Sequence, residues 1–338
     1  MTGMMSRAFL LPVAMLGAAL AVRAQTSQTS PASNAASPST ASPSAASLPA
    51  TPPRAPQSPA SSAENPQVSV LRDVAYGSVG EHPLLLDIYQ PTEHTSDSRP
   101  AIVLIHGGGW ISFDKSTMRT MGMFLARSGF VAFSVDYRLF HGTENDGTEN
   151  RWPAQLDDVQ RAVRWIRANA AKYGIDPDHI GAFGHSAGAQ LAALLGMEDT
   201  RDNSDAAVAK YSSRVQAVVD VSGPTDFTTN HDPDGDAFLT SFFGGDLAHA
   251  AKTWQDASPV FHVEKNVAPF LIFHGTQDAN VPLAQAQELA DKLKQAGATV
   301  KVEMVEDGHT FRTPEARKQL AFESLMFFEQ NLLPNAAR

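Results

Sequence analysis

The sequence predicts an α/β fold, a doubly wound and mostly parallel sheet with helices on both faces. Three observations carry that expectation. The continuous apolar run at residues 101–105 and the apolar-rich runs at 130–135, 217–221 and 270–273 have the length and side-chain types of strands covered on both sides. Stretches with helical spacing lie between such runs, so strand and helix alternate as they do around a parallel sheet. A further run at 179–183 turns through Gly184-His185-Ser186-Ala187-Gly188 directly into a helical stretch that begins with Gln190 and Leu191.

The 338 residues, 43% of them hydrophobic, are enough for a large core. Residues 68–76 alternate like a strand, and residues 84–89 follow after the turn-rich Gly77-Ser78-Val79-Gly80. After the strand at 101–105, a helix is expected around 118–128, then the strand at 130–135. The clearest helix covers 152–173. Pro153 lies near its first turn, Val159, Val163 and Ile166 fall at helical spacing, and Gly174 closes it. Beyond the helix that follows Ser186 come strands at 217–221 and 270–273, a helix at about 283–296, a strand at 300–304 and a last helix at 314–332. Residues 225–265 show no clear period and interrupt the alternation where a lid or binding insertion would be placed. Within them Asp232-Pro233-Asp234-Gly235-Asp236 resembles the start of a calcium loop. Ala237 and Phe243 occupy its glycine and acidic places, so a solvated loop is expected.

Ahead of this part, Arg7 precedes an apolar run over residues 8–22, and Val22 and Ala24 fit a signal-peptidase site. Residues 1–24 are expected to be a signal peptide cleaved after Ala24, with an uncleaved anchor as the alternative. The run is short for a membrane span, so no stable span is expected after cleavage, and the mature chain is expected to be secreted or periplasmic. Residues 25–66 are rich in Ala, Ser, Pro and Thr and have almost no large apolar side chains. They cannot offset their ordering entropy and are expected to form a disordered linker before a domain at 67–338. The formal net charge of −10 argues against a nucleic-acid partner, which needs clustered Lys and Arg. Zero cysteine excludes disulfides, thiolate metal sites and a cysteine nucleophile.

Ser186 between two glycines, at a strand-to-helix turn, has the setting of an activated nucleophile. Such a turn strains the backbone, so the residues two before and two after must lack a bulky Cβ. A serine nucleophile also needs a base, an acid to orient the base, and donors for the developing oxyanion. Asp278 stands just past the strand at 270–273, and His309 just past the strand at 300–304. Both therefore lie at the carboxyl ends of strands, where open α/β sheets bind ligands. That position selects His309 among eleven histidines. Asp307 and Glu303 are alternative acids, although Asp307 is too close in sequence to reach around the ring easily. Asp278 would otherwise cap the helix that starts near Pro282.

The oxyanion donors are expected in His106-Gly107-Gly108-Gly109-Trp110, directly after the strand at 101–105. Successive glycines let the N–H groups of Gly107 and Gly108 converge with that of Ala187 on one point. The loop lacks the glycine spacings of phosphate-binding motifs. Trp110 and His185 are candidate substrate contacts, with core packing and space filling as their alternatives. His274 is expected to be structural. Chemistry of this kind requires no cofactor and no metal.

Together His106-Gly107-Gly108-Gly109-Trp110, Asp136-Tyr137-Arg138-Leu139, Gly184-His185-Ser186-Ala187-Gly188, His274-Gly275-x-x-Asp278 and Gly308-His309 resemble one family. It is the hormone-sensitive-lipase-like carboxylesterase branch of the α/β-hydrolases, and within it the bacterial feruloyl-esterase-like group. The resemblance spans about residues 68–333. It implies an α/β-hydrolase fold, with Ser186 as nucleophile, His309 as base, Asp278 as its orienter, and Gly107, Gly108 and Ala187 as oxyanion-hole donors. It also implies that Arg138 pairs with Asp157 or Asp158. Many lipase-like members carry a helical cap ahead of the core, and here that region holds only the linker-like spacer.

The expected function is that of an exported serine hydrolase working through an acyl-enzyme. It would cleave carboxylic esters, short-chain or aromatic, in small molecules or linked to polysaccharide. Alternatives are an amide hydrolase, such as an arylformamidase or a peptidase, and a non-catalytic adhesion module on the same fold. No repeat is present to build the propeller of a prolyl-oligopeptidase-type enzyme. The joint presence of Ser186, Asp278 and His309 disfavours the adhesion module.

Overall fold

Five apolar side chains in a row, Ala101 to Ile105, sit fully buried in the middle of a sheet in the computed structural model of the chain. The structure describes residues 67–93, 98–142, 149–229 and 233–333, with 233–236 described by backbone alone. The expected signal peptide at 1–24 and linker at 25–66 lie outside the described residues. Among the described residues no helix is long and apolar enough to cross a membrane.

The strands are β1 (Val68–Val79), β2 (His82–Pro91), β3 (Arg99–Ile105), β4 (Val131–Val135), β5 (Ile175–His185), β6 (Ala217–Val221), β7 (Phe270–Gly275) and β8 (Val300–Val305). The helices are α1 (Arg119–Arg127), α2 (Ala154–Ala168), α3 (Ala170–Tyr173), α4 (Ala187–Met197), α5 (Pro233–Phe243), α6 (Leu247–Asp256), α7 (Leu283–Gln295) and α8 (Pro314–Leu332). The sheet runs in the order β1-β2-β4-β3-β5-β6-β7-β8. Strands β1 and β2 pair antiparallel, β2 meets β4 antiparallel, and every later pairing is parallel. This is the mostly parallel sheet that the apolar runs predict.

Period-two alternation sorts each buried strand onto two cores. Ala101, Val103 and Ile105 of β3 pack with Leu156, Val159, Val163 and Ile166 of α2 and with Leu191 and Leu194 of α4. Ile102 and Leu104 face the other way, against Leu125 of α1 and Phe328 and Leu332 of α8. Helices therefore cover both faces.

Two expectations are corrected. The helix expected over 152–173 breaks at Asn169, where α2 ends and α3 begins. The Asn169 N–H still donates to the Trp165 carbonyl at 3.0 Å and its side-chain amide to the same carbonyl at 2.8 Å, while its backbone, at φ −106° and ψ 14°, leaves the helical region. Residues 225–265, without a clear period in sequence, are largely helical where they are described. They form α5, α6 and a short 3-10 turn at Pro259–Phe261, and the loop expected from Asp232 to Asp236 is helical from Pro233 onward. Asp232 itself lies outside the described residues. Tertiary packing explains α5: Phe242 stacks on Trp110 at 5.0 Å and meets Phe140 edge-on at 5.3 Å.

Arg138 resolves its pairing in favour of Asp158. Its Nε lies 2.8 Å from Oδ2 and its Nη2 2.8 Å from Oδ1, and the Arg138 N–H donates to Oδ2 as well. Asp158 is buried, so this two-pronged bond fastens the segment after β4 to α2.

Candidate active site

The tight turn around Ser186 follows from close approach. A Cβ on Gly184 would collide with the Gly188 carbonyl, and one on Gly188 with the carbonyls of Ile105 and His106. Only glycine permits that contact between the turn and β3. Ser186 itself has φ +57° and ψ −123°, a conformation rare for a residue with a side chain. The strain is held by its N–H, which donates to the Val221 carbonyl at the end of β6 at 2.8 Å.

Three strand ends meet at the Ser186 hydroxyl. Its Oγ lies 2.9 Å from Nε2 of His309, and Nδ1 of that ring lies 2.8 Å from Oδ2 of Asp278. A carboxylate only accepts, so Nδ1 carries the proton and Nε2 accepts from the serine. Burial opposes ionisation of Asp278. Hydrogen bonds from His309 and from the N–H groups of Val281 and Asn280 outweigh it and hold the carboxyl below its usual range. The other weighed acids are engaged elsewhere. Asp307 accepts from Gly308 N–H at 2.7 Å and from the Thr313 N–H and hydroxyl at 2.9 and 2.8 Å, which clamps the loop around His309. Those bonds, led by the two from Thr313, push its pKa far down. Glu303 pairs with Lys301 at 3.1 Å.

The glycine loop sits against the serine: a Cβ on Gly107 would lie 3.1 Å from Ser186 Cβ. Neither the Gly107 nor the Gly108 N–H donates to any group among the described residues, and the Ala187 N–H begins α4. The loop is braced from below. The Tyr137 hydroxyl donates to the His106 carbonyl at 3.0 Å, and the two rings stack at 4.3 Å. The motif Asp136-Tyr137-Arg138-Leu139 by itself carries no sign of this task for Tyr137. The parallel register that sets Ile105 beside Val135 is what brings it under the loop.

The two candidate substrate contacts go different ways. Trp110 is buried, donates from Nε1 to Gln190 Oε1 at 3.2 Å, and packs between Phe242 and Phe227. His185 is half-buried and its Nε2 bonds the His309 carbonyl at 2.9 Å. His274 is fully buried, with Nε2 2.9 Å from the Val281 carbonyl and 3.5 Å from Asp278 Oδ2.

The family model BD-FAE matches residues 86–293, more than half of the chain. The chain belongs to the BD-FAE family. BD-FAE membership fits the relatives found. The chain is 29% identical to esterase LipC of Mycobacterium tuberculosis over 66% of this chain and 55% of LipC. It is similar in structure to a thermophilic esterase, Est2 of the planctomycete Thermogutta terrifontis, with propionate bound. The TM-score is 0.67 and the identity 27%, covering 80% of this chain and 97% of that one. A truncated carbohydrate esterase from gut microbiota matches with a TM-score of 0.64 and 28% identity, covering 78% of this chain and 96% of that one. The chain spans about half the length of the curated relatives it matches.

Proposed function

We propose that this BD-FAE member is an exported serine hydrolase that cleaves carboxylic esters through an acyl-enzyme. One observation carries the reading: hydrogen bonds run from Asp278 through His309 to Ser186, beside glycine N–H groups that have no acceptor among the described residues.

In this reading Ser186 Oγ bonds to the ester carbonyl carbon while its proton passes to His309 Nε2. The carbonyl oxygen becomes an oxyanion, met by the N–H groups of Gly107, Gly108 and Ala187. The carbon–oxygen bond to the alcohol then breaks, and the alcohol leaves with the proton from Nε2. Water attacks the acyl-enzyme, giving its proton to Nε2, and Ser186 regains that proton as the acid departs. Asp278 stays ionised and steadies the imidazolium in both halves.

Propionate bound to Est2 supports short acyl groups, and the likeness to a carbohydrate esterase supports acyl groups carried on polysaccharide. Export rests on the signal-like residues 1–24. The test is turnover of p-nitrophenyl acetate and labelling by a fluorophosphonate, in the full chain and in Ser186→Ala. Both should vanish in the variant, and retention of either overturns the role of Ser186. A parallel panel of N-formylkynurenine, acetyl and feruloyl esters separates ester from amide hydrolysis; formamide turnover above ester turnover defeats the ester reading.

A further inference from the structure

Beyond Trp110, the glycine loop holds a large aromatic residue in a backbone conformation that suits glycine. Phe113 has φ +71° and is 64% exposed, so core burial does not explain its presence there. Single exposed apolar residues are common and need no account. Phe113 differs in what its ring touches and in how firmly its backbone is held.

Its Cδ2 lies 2.8 Å from the place a Cβ on Gly108 would occupy, so the ring rests against the loop expected to hold the oxyanion. Gly107, the next residue, abuts Ser186. The ring therefore stands one residue away from the nucleophile's neighbour, open to solvent. On one side the Ser112 N–H and hydroxyl both donate to the Gly108 carbonyl, at 3.1 and 2.9 Å. On the other, the Lys115 N–H donates to Asp136 at 2.7 Å, and its ammonium lies 2.8 Å from Asp73 and 3.5 Å from Asp136. The positive φ is imposed from both ends, as strained functional positions are. Trp110 turns inward, so the apolar side chains that this loop shows to solvent are Ile111, 48% exposed, and Phe113.

We propose that Phe113 is a specificity-determining residue whose exposed ring, beside Ile111, is a platform on which the flat aromatic part of an ester substrate stacks at the rim of the Ser186 site. The proposal rests on the ester-hydrolase reading of that site.

The experiment compares the full chain with Phe113→Gly and Phe113→Trp. Glycine adopts φ +71° without strain, so the loop keeps its path. The readout is the kcat/KM for ethyl ferulate divided by that for ethyl acetate. Removing the ring lowers this ratio roughly two- to tenfold, through KM for the aromatic ester, and the tryptophan variant restores it. An unchanged ratio in Phe113→Gly overturns the proposal, whether both esters decline together or neither does. A joint decline would make Phe113 a brace for the oxyanion loop. In the Ser186→Ala background the dissociation constant for ethyl ferulate should weaken by the same factor when Phe113→Gly is added, and equal constants also overturn it. That arm needs no turnover, so a wild-type chain inert to both esters defeats the hydrolase reading while stacking is still decided by binding.

Discussion

The His185 ring donates from Nε2 to the backbone carbonyl of His309 at 2.9 Å, so the residue before the proposed nucleophile holds the loop that carries the proposed base. The two rings sit 5.1 Å apart. Burial is the main reason that His185 is pushed down to about 4 from 6.5, and a charge on His309 opposes its protonation further.

The sign of the pH effect follows from that depression. The folded state favours neutral His185, so its contribution is fully present above pH 6.5 and is lost as pH falls toward 4. The loss is worth up to roughly 3 kcal/mol. Wild-type chain should therefore lose thermal stability between pH 7 and pH 4.5 more steeply than His185→Gln, which keeps an N–H donor and cannot titrate. Parallel melting curves across that range would contradict it.

Asp278→Asn should leave the fold intact, because the Asn280 and Val281 N–H groups keep an oxygen acceptor. The amide no longer fixes the Nδ1 proton of His309. Turnover of p-nitrophenyl acetate should fall on the order of 10³- to 10⁴-fold, by analogy with the same change in serine proteases. Circular dichroism checks the fold, and a loss under tenfold would place the orienting group elsewhere.

Gly188→Ala tests the elbow rather than the chemistry. The added methyl meets the carbonyls of Ile105 and His106, both backbone atoms with no room to yield. Destabilisation of about 3 kcal/mol or more is expected. Denaturant unfolding of the purified variant measures it.

Asp220 is fully buried on β6, and burial raises it to about 6 even though it accepts the Gly223 N–H. Its folded value lies above its unfolded one, so the advantage of the protonated form is complete below pH 4 and is lost as pH rises through 6. The wild type should give up about 3 kcal/mol between pH 4 and pH 8 from this group. In Asp220→Asn that part of the pH dependence should be absent, as chemical denaturation at the two pH values would reveal.

Buried strands announce themselves because both faces demand apolar side chains, which is why β3, β4, β6 and β7 were legible as runs. The positions of Ser186 and Asp278 stood out for a related reason, since each follows such a run, whereas His309 follows the half-exposed β8. What escaped depends on contacts distant in sequence. The break at Asn169 is a departure of one residue's backbone, φ −106° and ψ 14°, that no periodicity displays. Helix α5 begins with Pro, Asp and Gly, and its helical form is explained only when Phe242 is seen against Trp110. Tyr137 under His106 required the pairing of β3 with β4.

Strand β8 is the last in the sheet, paired on one side only among the described residues and half exposed along most of its length. The loop after it delivers His309, while Ser186 directly follows the central β5. Detaching this edge costs far less than opening the centre, and it would separate Ser186 from its proposed base. Heat should therefore abolish the proposed activity before it melts the sheet, and a ligand that spans Ser186 and His309 should act as a clasp on that margin of the sheet.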